Sequence, residues 1–329
     1  MDTNNRARIV GTGGWVPERV VSNDELAALT GLSPPAIHRR TGIVERRWAD
    51  PKEATSDLAL RAATVALQDA GVRPQALDAV IVSTTSPDTL MPASACHLQR
   101  LLGARQAFAF DLAASCSGFL YALSVGDHLI RAGNAGRVLV VAAEVKSRFL
   151  NYKEGETAIL FGDGAGAAVL VPGDERHGLL SVTLRADGSY ADLIRIRAGG
   201  SRQPASKKTV AEGLHAITMQ GPSLFRVAVR HLESAVIETL KAQGLTVPEV
   251  RWFFFHQANG RMLDKVVERL GIPAAQTFSV IERYGNTSSS SLPLTLDAAV
   301  RAGEVKPGDL VLLATIGGGL TWGTALLRW

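Results

Sequence analysis

Cys116 stands in Asp111-Leu-Ala-Ala-Ser-Cys-Ser-Gly-Phe119, where an apolar strand-like run gives way to a helix. At a helix start, unpaired backbone N–H groups and the positive end of the helix dipole favour thiolate over thiol, so this cysteine is expected to be a poised nucleophile. His256 directly follows the apolar run Trp252-Phe-Phe-Phe255, and Asn286 lies in the small-residue turn Tyr284-Gly-Asn-Thr-Ser-Ser-Ser-Ser291. Thiolate, imidazole and side-chain amide together suit thioester chemistry: the sulfur accepts an acyl group, and two neutral donors stabilise an oxyanion as it develops. Taken singly, each has an ordinary reading, a small buried hydrophobe for Cys116 and a hydrogen-bonding or turn-forming residue for the other two. Their shared settings outweigh it.

The elements that must position these residues alternate apolar strand candidates with helical stretches, the pattern of an α/β layered fold. The two halves of the chain also rhyme. Leu67-Gln-Asp-Ala-Gly71 leads into Ala79-Val-Ile-Val82, and Leu240-Lys-Ala-Gln-Gly244 leads into Trp252-Phe-Phe-Phe255. Ile130-Arg-Ala-Gly133 precedes Val138-Leu-Val-Val141 as Val300-Arg-Ala-Gly303 precedes Leu310-Val-Leu-Leu313. A duplication explains both matches and sets an N-terminal half, 1–172, carrying the cysteine against a C-terminal half, 173–329, carrying His256 and Asn286. The offset in the second pair of matches carries Cys116 onto Asn286, which predicts equivalent helix starts and one active site between the halves.

The 329 residues, 46% hydrophobic, are enough for a substantial core. No apolar run approaches a membrane span, and Met1-Asp-Thr-Asn-Asn-Arg lacks a leader's apolar stretch, so a cytoplasmic protein is expected. The two cysteines, Cys96 and Cys116, supply neither a disulfide framework nor a cysteine-rich zinc site, and the histidines form no ligand-spaced cluster; no metal or cofactor is expected. A net charge of +4, with few aromatics and no Lys/Arg block, does not suggest a nucleic-acid binder and fits an acidic protein partner better. Phe161-Gly-Asp-Gly-Ala-Gly and Gly11-Thr-Gly-Gly are not read as nucleotide loops, because neither opens a helix.

The pieces Arg40-Thr-Gly-Ile-Val-Glu-Arg46, Cys116-Ser-Gly-Phe, Phe161-Gly-Asp-Gly-Ala-Gly-Ala-Ala-Val-Leu170, His256-Gln-Ala-Asn259, Tyr284-Gly-Asn-Thr-Ser288 and Gly317-Gly-Gly-Leu-Thr-Trp-Gly323 resemble the β-ketoacyl-acyl carrier protein synthase III family, condensing enzymes of the thiolase superfamily. The resemblance covers nearly the whole chain. It implies a duplicated five-layer α-β-α-β-α thiolase-like fold and a homodimer. It also implies a ping-pong reaction in which Cys116 takes an acyl group from acyl-CoA or an acyl-carrier thioester. Malonyl-acyl carrier protein then loses carbon dioxide and attacks, giving a β-ketoacyl-carrier product for fatty-acid initiation or a specialised pathway. His256 and Asn286 would stabilise the enolate, and the N–H groups of Cys116 and Gly318 would form the oxyanion hole.

By the same resemblance Arg40 and Arg226 would contact carrier or coenzyme A, and Thr85, Met91, Lys146 and Phe225 would line the acyl pocket, Met91 reaching a partner's tunnel. Arg261, Lys265 and Arg269 recur at i, i+4 and i+8 of one helix, a basic stripe on which an acidic carrier could dock. The chain departs from many relatives in three places. Ala36 and Gly155 replace a tryptophan and an arginine that sandwich adenine, which favours a primer delivered on a carrier protein or on coenzyme A bound differently. Lys146 replaces a common leucine, and an ammonium pointing inward would pair with a carboxylate-bearing acyl chain. Competing readings are acyl transfer to an alcohol or amine without condensation, a biosynthetic thiolase, which would need a second cysteine after Cys116, and an inactive binding partner.

Overall fold

The computed structural model describes residues 6–174 and 177–329, so the first five residues read above lie outside the described part. Two mixed sheets dominate. The first has five strands, in the order Ala7–Trp15, Gly164–Pro172, Val138–Glu144, Ala79–Ser83, Phe108–Leu112; the second has four, Gly178–Ala186, Thr321–Arg328, Leu310–Gly317, Trp252–Phe255. The two orders superpose, and so do the directions. In the first sheet the last three strands are mutually parallel and the other two antiparallel to their neighbours. The second repeats this, with an isolated parallel bridge from Phe253 to Thr277 where the first sheet has its fifth strand.

The sequence shows why the sheets are sandwiched. Ala79–Ser83 and Val138–Glu144 are buried throughout, so they are nearly continuous apolar runs with helices on both faces. Thr55–Ala70 and Ser94–Leu102 cover the outside of the first sheet, Gly221–Ala242 covers the outside of the second, and Gly118–Arg131 and Ser291–Arg301 fill the layer between them. The result is the expected α-β-α-β-α stack. The central layer contains a core of Ile81, Phe119, Leu120, Phe254, Leu292 and Leu313, drawn from both sheets and both central helices.

Strand register corrects one expectation. Ala79 pairs Val138 as Trp252 pairs Val311, an offset of 173 in both strands. The same offset relates Ser115 to Ser288, the two non-glycine residues with left-handed backbone among the described residues, at φ of 49° and 56°. Cys116 therefore corresponds to Ser289 and not to Asn286, which lies three residues earlier. The offset falls to 170 only at the far ends of the central helices, because Gly118–Arg131 has 14 residues and Ser291–Arg301 has 11.

Candidate active site

Each central helix begins with a one-turn 3-10 segment, Ser115–Ser117 before Gly118–Arg131 and Ser288–Ser290 before Ser291–Arg301. The left-handed serines turn the chain sharply from strand-like backbone into these segments. The two turns meet, and Cys116 Sγ lies 3.4 Å from Ser288 Oγ. From the far side, Gly317 leaves room: a Cβ there would stand 2.6 Å from the Cys116 nitrogen. Thr315 Oγ1 donates to the Cys116 carbonyl at 3.0 Å, and Thr321 Oγ1 to the Ala114 carbonyl at 2.9 Å. The turn carrying Cys116 is thus held by the second half of the chain.

Cys116, His256, Asn286 and Gly318 all border one cavity of about 540 Å³, whose lining also includes the exposed side chains of Arg40 and Glu156. Burial pushes the Cys116 thiol up, while the Ser288 hydrogen bond and the charge of Lys146 pull it back down. The expectation of a sulfur biased to thiolate by its helix start is corrected here, because desolvation of the buried sulfur is the larger effect.

His256, at the end of Trp252–Phe255, is fully buried, and burial pushes its imidazolium down to about 3. It is a neutral ring. Its Nδ1 lies 2.5 Å from Ser291 Oγ, which also accepts the Gln257 N–H at 3.1 Å. The Ser291 hydroxyl has no other acceptor among the described residues, so it donates to Nδ1 and leaves the proton of the ring on Nε2. Asn286 is fixed through its backbone, which donates to Leu160 O at 2.8 Å and accepts from Gly162 N at 3.1 Å. Gly162 must be glycine, since a Cβ would meet Tyr284 O at 2.3 Å. Asn286 Oδ1 accepts the Ser288 N–H at 2.8 Å and Nδ2 donates to Ala258 O at 3.2 Å, leaving the second Nδ2 hydrogen for the cavity. Imidazole and amide can therefore present two neutral N–H donors beside one sulfur, a set able to stabilise an enolate oxygen without an imidazolium.

With this architecture and geometry in view, the chain matches the family description 3-Oxoacyl-[acyl-carrier-protein (ACP)] synthase III over residues 110–188 and its C-terminal counterpart over 240–329. It is 42% identical over 323 residues to the Beta-ketoacyl-[acyl-carrier-protein] synthase III of Caldanaerobacter subterraneus, covering 98% of each chain. The chain belongs to the 3-oxoacyl-[acyl-carrier-protein] synthase III family. Among solved structures, the synthase III of Aquifex aeolicus VF5 superposes with a TM-score of 0.91 at 39% identity, covering 98% of this chain and 100% of that one. The priming β-ketosynthase of the R1128 polyketide pathway gives 0.91 at 36%, covering 99% and 97%. The fold is thiolase-like.

Of the other residues singled out in the sequence, Phe225 and Arg40 line the cavity. Arg40 Nη1 is paired with Glu156 at 2.6 Å. Three acyl-pocket candidates lie outside the cavity lining. Met91 is 86% exposed on the surface. Thr85 Oγ1 donates to Glu144 at 3.1 Å and accepts from Lys146 Nζ. Lys146 corrects the expectation of an ammonium awaiting a substrate carboxylate. It is buried, and its partner is internal, Glu144 Oε2 at 3.0 Å. The basic stripe divides. Arg226, Lys265 and Arg269 border a surface groove with Phe225 and Arg230, whereas Arg261 turns to the carbonyls of Arg39 and His38. The stripe is also partly neutralised by Asp264, Glu268 and Glu233. No group of three or more His, Cys, Asp or Glu able to hold a metal occurs among the described residues.

Sequence reasoning missed Ser291, Ser288 and Glu144. A carboxylate closing the otherwise apolar strand Val138–Glu144 was a usable signal, since a buried acid needs several donors. Nothing in the run Ser288–Ser291 distinguished one serine from the next.

Proposed function

We propose that this chain is a decarboxylating acyl-thioester condensing enzyme, with Cys116 as acyl acceptor, His256 and Asn286 as the donors that stabilise the enolate formed from malonyl-carrier, and the Cys116 and Gly318 N–H groups as the oxyanion hole. The observation that carries this reading is the convergence of a buried sulfur with two neutral N–H donors on one cavity. The curated relatives' name, Beta-ketoacyl-[acyl-carrier-protein] synthase III, supports acyl carrier protein as the partner. We take the chain as two thiolase-like halves meeting near residue 172.

The primer is assigned to a carrier protein in preference to coenzyme A. Ala36 and Gly155 offer no ring or guanidinium to stack on adenine, and Arg40 at the mouth is already engaged by Glu156. Arg226, Lys265 and Arg269 form the docking groove in this reading. A homodimer is supported by the outer edge of Phe108–Leu112, where Phe108 is 44% exposed, and by the exposed apolar side chains of Leu90 and Met91. No helix among the described residues is long and apolar enough to cross a membrane. Both cysteines are free, which suits a reducing compartment, and we place the enzyme in the cytoplasm.

Intact-mass spectrometry after incubation with acyl-CoA and acyl-carrier thioesters, with and without malonyl-carrier, tests the reading. An adduct on Cys116 that malonyl-carrier discharges into a β-ketoacyl product supports it, and the best-loaded thioester names the donor. An adduct that persists overturns condensation in favour of transfer to an alcohol or amine.

A further inference from the structure

Behind the nucleophile lies an ion pair that the condensation chemistry leaves unused. Glu144 is fully buried at the end of Val138–Glu144, and Lys146 Nζ sits 3.0 Å from its Oε2. The carboxylate also accepts from Ser86 at 2.7 Å, Ser289 at 2.9 Å, Ser288 at 3.1 Å and the Thr85 N–H at 3.1 Å. Ser288 is the link to chemistry, because its Oγ is also the atom 3.4 Å from Cys116 Sγ.

A serine hydroxyl has one proton. Since a carboxylate can only accept, the Ser288 hydrogen is committed to Glu144 while Cys116 is a thiol, and the S–H then points at Ser288 Oγ. When the sulfur ionises, giving its proton to water in the cavity, the same hydroxyl can turn and donate to the thiolate. Glu144 loses little by this, since Ser86, Ser289, Thr85 and Lys146 still hold it. Without a cation beside it, that carboxylate would be a bare negative charge behind a sulfur that has to become negative. Lys146 removes the conflict.

We propose that Lys146 and Glu144 are a built-in counter-ion unit for the nucleophile, acting through Ser288, whose hydroxyl bonds Glu144 when Cys116 is a thiol and the sulfur when it is a thiolate. Lys146 and Glu144 are positioning residues in this scheme, and Ser288 is the group that touches the reacting atom. The charged and titratable groups around the sulfur are consistent with it. Glu144 opposes ionisation of Cys116 and Lys146 favours it, His256 is neutral, and Arg40 and Glu156 neutralise each other at the mouth. Although burial pushes Glu144 up, Lys146 and the hydroxyl donors hold it below the usual carboxylate range, so it stays an anion throughout.

The inference rests on Cys116 as the acyl acceptor, yet its test uses no acyl substrate, so the two fail separately. Alkylation by iodoacetamide would be followed against pH on the Cys116 peptide by mass, with exposed Cys96 as the internal control in the same protein. Lys146→Met and Ser288→Ala are each expected to move the Cys116 midpoint up by about one pH unit, with the Cys96 profile unchanged. Adding Glu144→Gln to Lys146→Met should bring the midpoint back toward the wild type, because both charges are then gone. Should Lys146→Met fail to fold, Lys146→Arg keeps the wild-type midpoint while Ser288→Ala still shifts it. Midpoints unmoved in folded Lys146→Met and Ser288→Ala proteins, or a double variant as shifted as Lys146→Met, would overturn the proposal and leave the ion pair a packing feature.

Discussion

Removing the Ser291 hydroxyl isolates the enolate-stabilising step. In the wild type Ser291 donates to His256 Nδ1 at 2.5 Å, which keeps Nε2–H toward the cavity, and it accepts from the Gln257 N–H at 3.1 Å. In Ser291→Ala the ring is buried, neutral and free to take either tautomer, and the tautomer protonated on Nδ1 turns a lone pair toward the developing oxyanion. Losing one well-formed hydrogen bond to a buried group costs about 1–3 kcal/mol. Expressed only in the condensing step, that is roughly a 5- to 150-fold fall in kcat. Acylation of Cys116 involves a different oxyanion and should change by less than about twofold. Rapid-quench measurement of acyl-enzyme formation, alongside carbon dioxide release from malonyl-carrier, separates the two. An unchanged kcat for condensation would refute the tautomer argument, and an equal fall in both half-reactions would show that Ser291 merely supports the fold.

Asn286→Ala should still acylate but condense at a small fraction of the wild-type rate, while Cys116→Ala should form no acyl-enzyme yet retain some malonyl decarboxylation; the same two assays read both. Acid stability follows from His256, whose pKa falls from 6.5 to about 3 on folding. Its contribution is whole above pH 6.5 and is lost as pH drops toward 3, because only the unfolded chain takes up the proton, amounting to about 2 kcal/mol by pH 5. The fall in Tm between pH 7 and 5 should therefore be smaller in His256→Asn than in the wild type, and equal slopes would count against a neutral buried ring. Reversing Lys265 and Arg269 to glutamate should raise KM for malonyl-carrier several-fold with kcat little changed, whereas Arg261→Glu, facing the C-terminal turn of the helix Pro34–Thr41, should have a smaller effect on KM.

The fold was legible in the sequence because both its signals are local. Fully apolar strands such as Val138–Glu144 announce burial on both faces, and helix ends marked by glycine, at Gly71 and Gly133, recur in both halves. That Cys116, His256 and Asn286 face one cavity was legible for a similar reason: each stands just beyond an apolar run or in a small-residue turn, where side chains are presented and not packed. The alignment of the two halves at Cys116 was not legible. A helix three residues shorter shifts the offset by the same amount, and only strand register and the left-handed backbone at Ser115 and Ser288 show where the change falls.

What the tertiary structure alone decided is the pairing of buried polar groups. A lysine in an α/β sequence can face solvent, substrate or an internal acid, and its neighbours in the chain do not choose. Lys146 faces Glu144 because strand and turn bring them together, but the serine that relates the pair to the nucleophile comes from 144 residues beyond Glu144. The division of the basic stripe likewise depends on which helix packs beside Gly260–Leu270, since Arg269 meets Glu233 on Gly221–Ala242 while Arg261 meets the carbonyls ending the helix Pro34–Thr41. Composition and periodicity fix which faces are buried; which donor meets which acceptor there is set by contacts between segments far apart in sequence, where one missing partner costs more than any local preference supplies.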